Sequence, residues 1–230
     1  MIRESFDREL RRLVDEVLAL GSMVENALAD AVEALKKRDD EAAGALIAQD
    51  RTINKRRYQI ESDALTLIAT QQPMARDLRM IAAVLDLSSE LERIGDYAKG
   101  IAKINLMIGE EALIKPLIDL PVMASKAASM LDDALRSFAE QDADLARSIP
   151  PRDDEIDALY DQIYRELISL IMAEPGRIEQ ANHLLWAAHN LERAGDRVTN
   201  ICERVVFTVT GELTELDVDE GQRVSVEAFE

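Results

Sequence analysis

Cysteine is all but missing from this sequence. Cys202 stands alone, so no intrachain disulfide can form, and a reducing compartment is permitted. Aromatic residues make up only 4% of the 230, and glycine and proline are scarce. That disfavours a sheet protein, whose strands want aromatic and β-branched residues and whose turns want punctuation. Positive charge is short as well: 27 Lys and Arg stand against 45 Asp and Glu, a formal net charge of −18. A nucleic acid would need a cationic face and an anionic membrane a basic patch, so both partners are argued against. No run approaches about 18 uninterrupted apolar residues, so no bilayer span is expected. MIRESFDREL lacks the basic-then-apolar order of a secretion signal. The expectation is a soluble cytoplasmic protein suited to divalent cations or to basic faces of other proteins.

What the chain has in abundance is helical periodicity. Leu10, Leu13, Val17, Leu20, Val24, Ala27 and Ala31 recur at spacings of three and four, drawing one apolar seam along a helix of about 3–37. Asp39 and Asp40 offer an N-cap for a second helix reaching about 71. QQP at 71–73 ends it, because the residue before Pro73 is pushed out of helical geometry, and Pro73 suits the first turn of a third helix to about 108. Three more stretches follow: about 117–147, stopped by Pro150 and Pro151; about 152–173, broken by EPG at 174–176; and about 177–210, ended near Gly211. ELTELDVDE at 212–220 lacks apolar periodicity and reads as a solvated tail.

LERIGD at 91–96 returns as LERAGD at 191–196, each midway along the third helix of a half. A repeat of this length, with three helices per unit and short breaks between them, predicts an all-α fold of two tandem three-helix bundles with antiparallel long helices. Residues 1–112 are assigned to the first bundle, 113–212 to the second and 213–230 to an acidic tail.

On a helix, Glu92 and Asp96 share a face, and so do Glu192 and Asp196. Leu78, Ile81 and Leu85 form a row leading to the first pair; Ile178 and Leu185 lead to the second. Acids therefore stand where a packed bundle would put leucine. Helices rise about 1.5 Å per residue, so a hairpin folded near residue 72 sets Asp50 and Asn54 beside Asp96 and Glu92. Folded near 174–175, the other hairpin sets Asp153 and Asp157 beside Asp196 and Glu192. Gathered acids repel until a cation sits among them. All-oxygen donors suit Mg²⁺, Mn²⁺ or Ca²⁺, with iron also compatible. The match to di-iron bundles is partial, since His189 and Glu192 stand in the reverse of the Glu-x-x-His order.

The competing reading is that acids four apart merely decorate a wet face, as a single such motif usually does. Duplication, alignment with the apolar row and the facing acids favour metal. Gly95 and Gly195 each cost about 1 kcal/mol against alanine mid-helix, which asks for a packing or ligand reason. His183 and His189 read as packing residues, Trp186 as core, and Tyr58, Tyr160 and Tyr164 as amphipathic bundle residues. KKRDDE at 36–41 reads as a solvated turn, and Arg76, Asp77 and Arg79 as exposed ion pairs. No phosphate loop, G-x-S-x-G or nucleophile–His pair occurs, so no enzyme is expected. A carboxylate-bridged metal enzyme and a plain helical scaffold stay as alternatives.

QQPMARDLR at 71–79, LERIGDYAKGIAK at 91–103, LERAGDRVTNICE at 191–203 and VVFTVTGE at 205–212 resemble the PhoU family of phosphate-transport regulators. The resemblance spans nearly all of 1–212. It implies two three-helix bundles, metal held at the Glu/Asp-x-x-x-Asp motifs, and frequent homodimers. It also implies a cytoplasmic, membrane-peripheral regulator that restrains phosphate uptake and the phosphate-starvation response. The implied partners are the transporter's ATPase subunit and a sensor histidine kinase. Glu92 and Asp96 match the first motif, Glu192 and Asp196 the second, and Asn200 and Glu203 the Asn and Glu that follow it. The first half departs at Gly100 and Lys103 and carries Arg57 where the family has an acid. Its site is therefore expected to be weak, empty or neutralised by Lys103 and Arg57, whereas Asp153, Asp157 and Asp161 keep the second half intact.

Overall fold

Helical periodicity in the first half is realised as α1 (Ile2–Lys37), α2 (Asp40–Gln71) and α3 (Arg76–Ile108). The second half comprises α4 (Asp119–Glu140), α5 (Ala143–Ser148), α6 (Asp154–Ala173) and α7 (Ile178–Thr210), with single 3-10 turns at Pro150–Arg152 and Pro175–Arg177. This is a computed structural model, and it describes residues 2–109 and 111–216. No strand occurs among the described residues. Most of the acidic tail, from 217 on, lies outside them.

Local chemistry sets the breaks. Arg38 turns left-handed at φ 61°, and Asp39 then caps α2 by accepting from Ala42 N at 2.9 Å. Gln72, at φ 47°, donates its N–H to Ile68 O and closes α2. Ala75 also has positive φ, so α3 begins at Arg76 and Pro73 sits in the link rather than in the first turn. The single helix expected over 117–147 is in fact two. Gln141 adopts φ 56°, and Asp142 restarts the chain by accepting from Asp144 N at 3.0 Å and Leu145 N at 2.9 Å. Apolar spacing runs on across that break, which is why periodicity missed it. α6 likewise begins at Asp154, two residues late, because Pro150 and Pro151 first form a 3-10 turn.

The α1 seam from Leu13 to Ala31 is buried throughout. Gly21 lets α1 approach α4, since a Cβ there would fall 2.2 Å from Leu135 Cδ1. α3 packs along α7 more extensively than any other pair, and α1 packs on α4. Asp86 meets Arg204 at 2.8 Å and Glu90 meets Asn200 at 3.3 Å, so α3 and α7 run antiparallel. Gly100 lies against Asn190, the same pairing with the halves exchanged. Equivalent helices meeting reciprocally is the signature of an internal two-fold. The two bundles are thus related face to face, and each keeps its own outer seam: α2 with α3, and α6 with α7. Among the described residues no helix is long and apolar enough to cross a membrane.

Candidate functional site

On the α2–α3 seam Asp50 and Asp96 come to one level, joined through Lys99. Asp50, 4% exposed, accepts from Asn54 Nδ2 at 3.1 Å through Oδ2. The same oxygen lies 2.7 Å from Lys99 Nζ, which also stands 3.3 Å from Asp96 Oδ1. Oδ1 of Asp50 is buried with no hydrogen-bond partner. The bond to Asp50 holds the Lys99 ammonium above its usual range. Burial, then the neighbouring Asp96, pushes the Glu92 carboxyl up, while Arg57 opposes them.

The neutralising cation is therefore Lys99. Lys103 stays exposed, and Arg57 turns to Glu61 at 3.2 Å and Ser89 at 3.4 Å. Comparing only the motif positions hid Lys99. Its spacing of three from Asp96, and its level opposite Asp50 in the same register, were the available signals.

The α6–α7 seam is built differently. Asp153, 7% exposed, precedes α6 and lies against Gly195, where a Cβ would come 2.0 Å from its Oδ1. Gly95 instead faces Ile53, as Gly195 also faces Ile156, so Ile53 corresponds to Ile156 and Asp50 to Asp153. Burial, then Asp196, pushes the Glu192 carboxyl up. His189 Nδ1 stands 3.0 Å from Glu192 Oε2, and its ring centroid lies 6.1 Å from that of Tyr160. Arg193 pairs with Asp196 at 3.2 Å. Asp157 follows one turn after Asp153 and is exposed.

The position of Lys99 is taken here by Thr199, which is buried with no hydrogen-bond partner for its hydroxyl. Asn200 and Glu203 leave this seam. Asn200 donates to Glu90 on α3, and Glu203 Oε1 accepts from Leu216 N at 2.8 Å. Both line a cleft of about 620 Å³ between the bundles, with Asp86, Arg93 and Arg204. Leu216 thus fastens the start of the tail to α7, while residues 212–215 are exposed, as expected of a solvated run.

Both acid pairs sit on outer seams rather than in a leucine row. Leu78 and Ile178 are exposed, while the α3 core face runs through Ile81, Val84, Leu87, Leu91 and Ile94. Trp186, expected in the core, is 51% exposed, and its edge meets His183 at 6.1 Å between centroids. Arg76 and Arg79 are not free surface pairs either: Arg76 donates to Gln141 and Arg79 to Thr208 O, both in the other half.

Among the described residues, no three His, Cys, Asp or Glu side chains are gathered closely enough to hold an ion as they stand. The first seam does not fit a metal, because an ammonium fills the place between its acids. The second has suitable donor types, not yet gathered into a site. Asp153, Glu192 and Asp196 all offer oxygen, the bare Gly195 makes the space for one of them, and the basic partners there, Arg193 on Asp196 and His189 on Glu192, each hold a single acid rather than bridging two helices.

Residues 17–104 and 120–205 each match the family described as PhoU domain. A phosphate-specific transport system accessory protein PhoU homolog of Clostridium acetobutylicum is 35% identical, over 94% of this chain and 100% of that one. The homolog so described in Caulobacter vibrioides is 39% identical over 91% of each. The crystal structure of the phosphate transport system regulatory protein PhoU from Streptococcus pneumoniae superposes with a TM-score of 0.85 at 36% identity, covering 91% of this chain and 99% of that one. PhoU from Pseudomonas aeruginosa gives 0.85 at 34%, covering 90% and 100%.

Proposed function

The chain belongs to the PhoU family, and from that premise we propose that it is a negative regulator of phosphate uptake and of the phosphate-starvation response. It acts without catalysis, as a cytoplasmic helical adaptor between the ATPase subunit of a phosphate transporter and a sensor histidine kinase, and works as a homodimer. The observation that carries this reading is the double family match, one in each bundle, at 35–39% identity to transport-system accessory proteins.

Glu192, Asp196 and Asp153, with Asp157 beside them, would hold a hard divalent or trivalent cation on the α6–α7 seam. Bound there, the ion supplies the positive charge that Lys99 supplies in the first half. The protein's own part is to bring the donors to one seam and to keep Asp153 buried against Gly195.

Two measurements test the reading. In a host from which the chain is deleted, starvation genes should be expressed in high phosphate and silenced again on complementation; expression indifferent to the chain rejects the regulatory role. The purified chain should retain the transporter ATPase and the kinase, more strongly with Mn²⁺ or Mg²⁺ than after chelation.

A further inference from the structure

We infer that Lys99 is a built-in substitute for a metal ion, so that the first half is closed to metal and the second alone is open to it. This rests on reading the acid seams as cation sites.

The internal repeat supplies its own control. Both seams carry the Glu-x-x-x-Asp pair and a buried acid facing it, Asp50 on α2 in one and Asp153 just before α6 in the other. They differ at several places, among them Asn54 against Asp157 and Arg57 against Tyr160, but only one difference sets a cation between the facing acids. Lys99 Nζ reaches Asp50 Oδ2 at 2.7 Å and Asp96 Oδ1 at 3.3 Å, bridging α2 and α3 as an ion would. Thr199 stands in its place on α7, buried and with its hydroxyl unpaired.

A buried carboxylate is tolerated only when paired, and the ammonium, being tethered to the chain, pairs Asp50 whatever ions the solution holds. A divalent ion entering that seam would meet the ammonium at close range and be repelled. Only one oxygen of Asp50 is used; Oδ1 stays buried and unbonded. Removing the ammonium leaves Asp50 Oδ1 unbonded and Oδ2 bonded only to Asn54, beside Asp96 and Glu92, an all-oxygen carboxylate set like that of the second seam. One half is thereby fixed and the other conditional on metal.

The test uses the full chain with Lys99→Thr, which copies Thr199, and Lys99→Arg, which keeps the charge. Each is also made in a Glu192→Gln, Asp196→Asn background that disables the second seam. Chains are stripped with EDTA, loaded with Mn²⁺ and desalted; metal per chain is then read by atomic emission, and melting is followed with and without Mn²⁺. Lys99→Thr should gain about one equivalent in either background, as one new all-oxygen site requires, and its melting should become Mn²⁺-dependent. Lys99→Arg should gain none. No added equivalent in Lys99→Thr overturns the inference, as does an equal gain in Lys99→Arg. If Lys99→Thr is unfolded without metal, recovery of its helical circular dichroism on adding Mn²⁺ supports the inference; failure to recover with Mn²⁺, Mg²⁺, Ca²⁺ or Fe³⁺ overturns it. The premise fails separately. A parent chain holding no ion beside a Lys99→Thr chain holding one removes metal from the second half and leaves the role of Lys99 standing.

Discussion

Asp153 rests its carboxylate directly on the backbone of Gly195, with Oδ1 where that residue's Cβ would have to be, 2.0 Å away. Gly195→Ala should therefore destabilise the chain by about 1–2 kcal/mol, because forcing Asp153 aside outweighs the gain of about 1 kcal/mol in helix propensity. At Gly95 the nearest atoms are Ile53 methyls at 3.3 Å, a contact that a small shift relieves. Gly95→Ala should be near neutral. Urea midpoints of the two variants measure the difference; equal midpoints would show that Asp153 is not held there.

The acids of the two halves should not be equivalent toward metal. Glu192→Gln with Asp196→Asn is expected to lower metal content more than Glu92→Gln with Asp96→Asn, because the first seam already holds Lys99. Elemental analysis of chains purified without chelator gives the comparison. Equal losses would sink the asymmetry.

Glu90 ties the bundles together. It approaches Arg197 at 3.5 Å and Asn200 at 3.3 Å on α7 and Arg93 at 3.3 Å on its own helix, while Arg197 also reaches the Tyr97 hydroxyl. Glu90→Ala leaves those partners without their acid in a half-buried groove, at a cost of about 1–3 kcal/mol. Calorimetry should show a lower midpoint. A melt unchanged within a degree would mean that the apolar α3–α7 contact alone joins the halves.

Burial pushes the Cys202 thiol from its ordinary 9.0 up to about 12. Between those values the unfolded chain loses a proton that the folded chain keeps. The contribution of this group to stability is therefore undiminished below about pH 9 and falls as pH rises from there. The native thiol should resist Ellman's reagent at pH 8 and react stoichiometrically in urea. Fast labelling of the folded chain would contradict the burial.

Much of the architecture could be read from spacing alone. The α1 seam, the Asp39 cap and the stops near Pro73, Pro150 and Gly211 are local signals, set by side-chain size and backbone sterics within a few residues. The break at Gln141 escaped because a left-handed residue leaves no mark on apolar periodicity, although Asp142 is a sound N-cap. Trp186 was misplaced for a related reason. Periodicity says that a face is apolar and not whether another element covers it.

For the seams, the register of each hairpin was legible because two antiparallel helices rise equally, and this brought Asp50 to Asp96. Which oxygen meets which nitrogen was not. That the ammonium belongs to Lys99 rather than Lys103, that Asn200 and Glu203 turn to α3 and the tail, and that Gly195 makes room for Asp153 all depend on rotamers and on helix rotation in the packed molecule. Sequence by itself determined the helices, their duplication and the level at which acids face one another, since these follow from covalent geometry and spacing along a single chain. Only the tertiary structure decided which charges meet, because a separation of a few ångströms between side chains on different helices is fixed by packing around both of them.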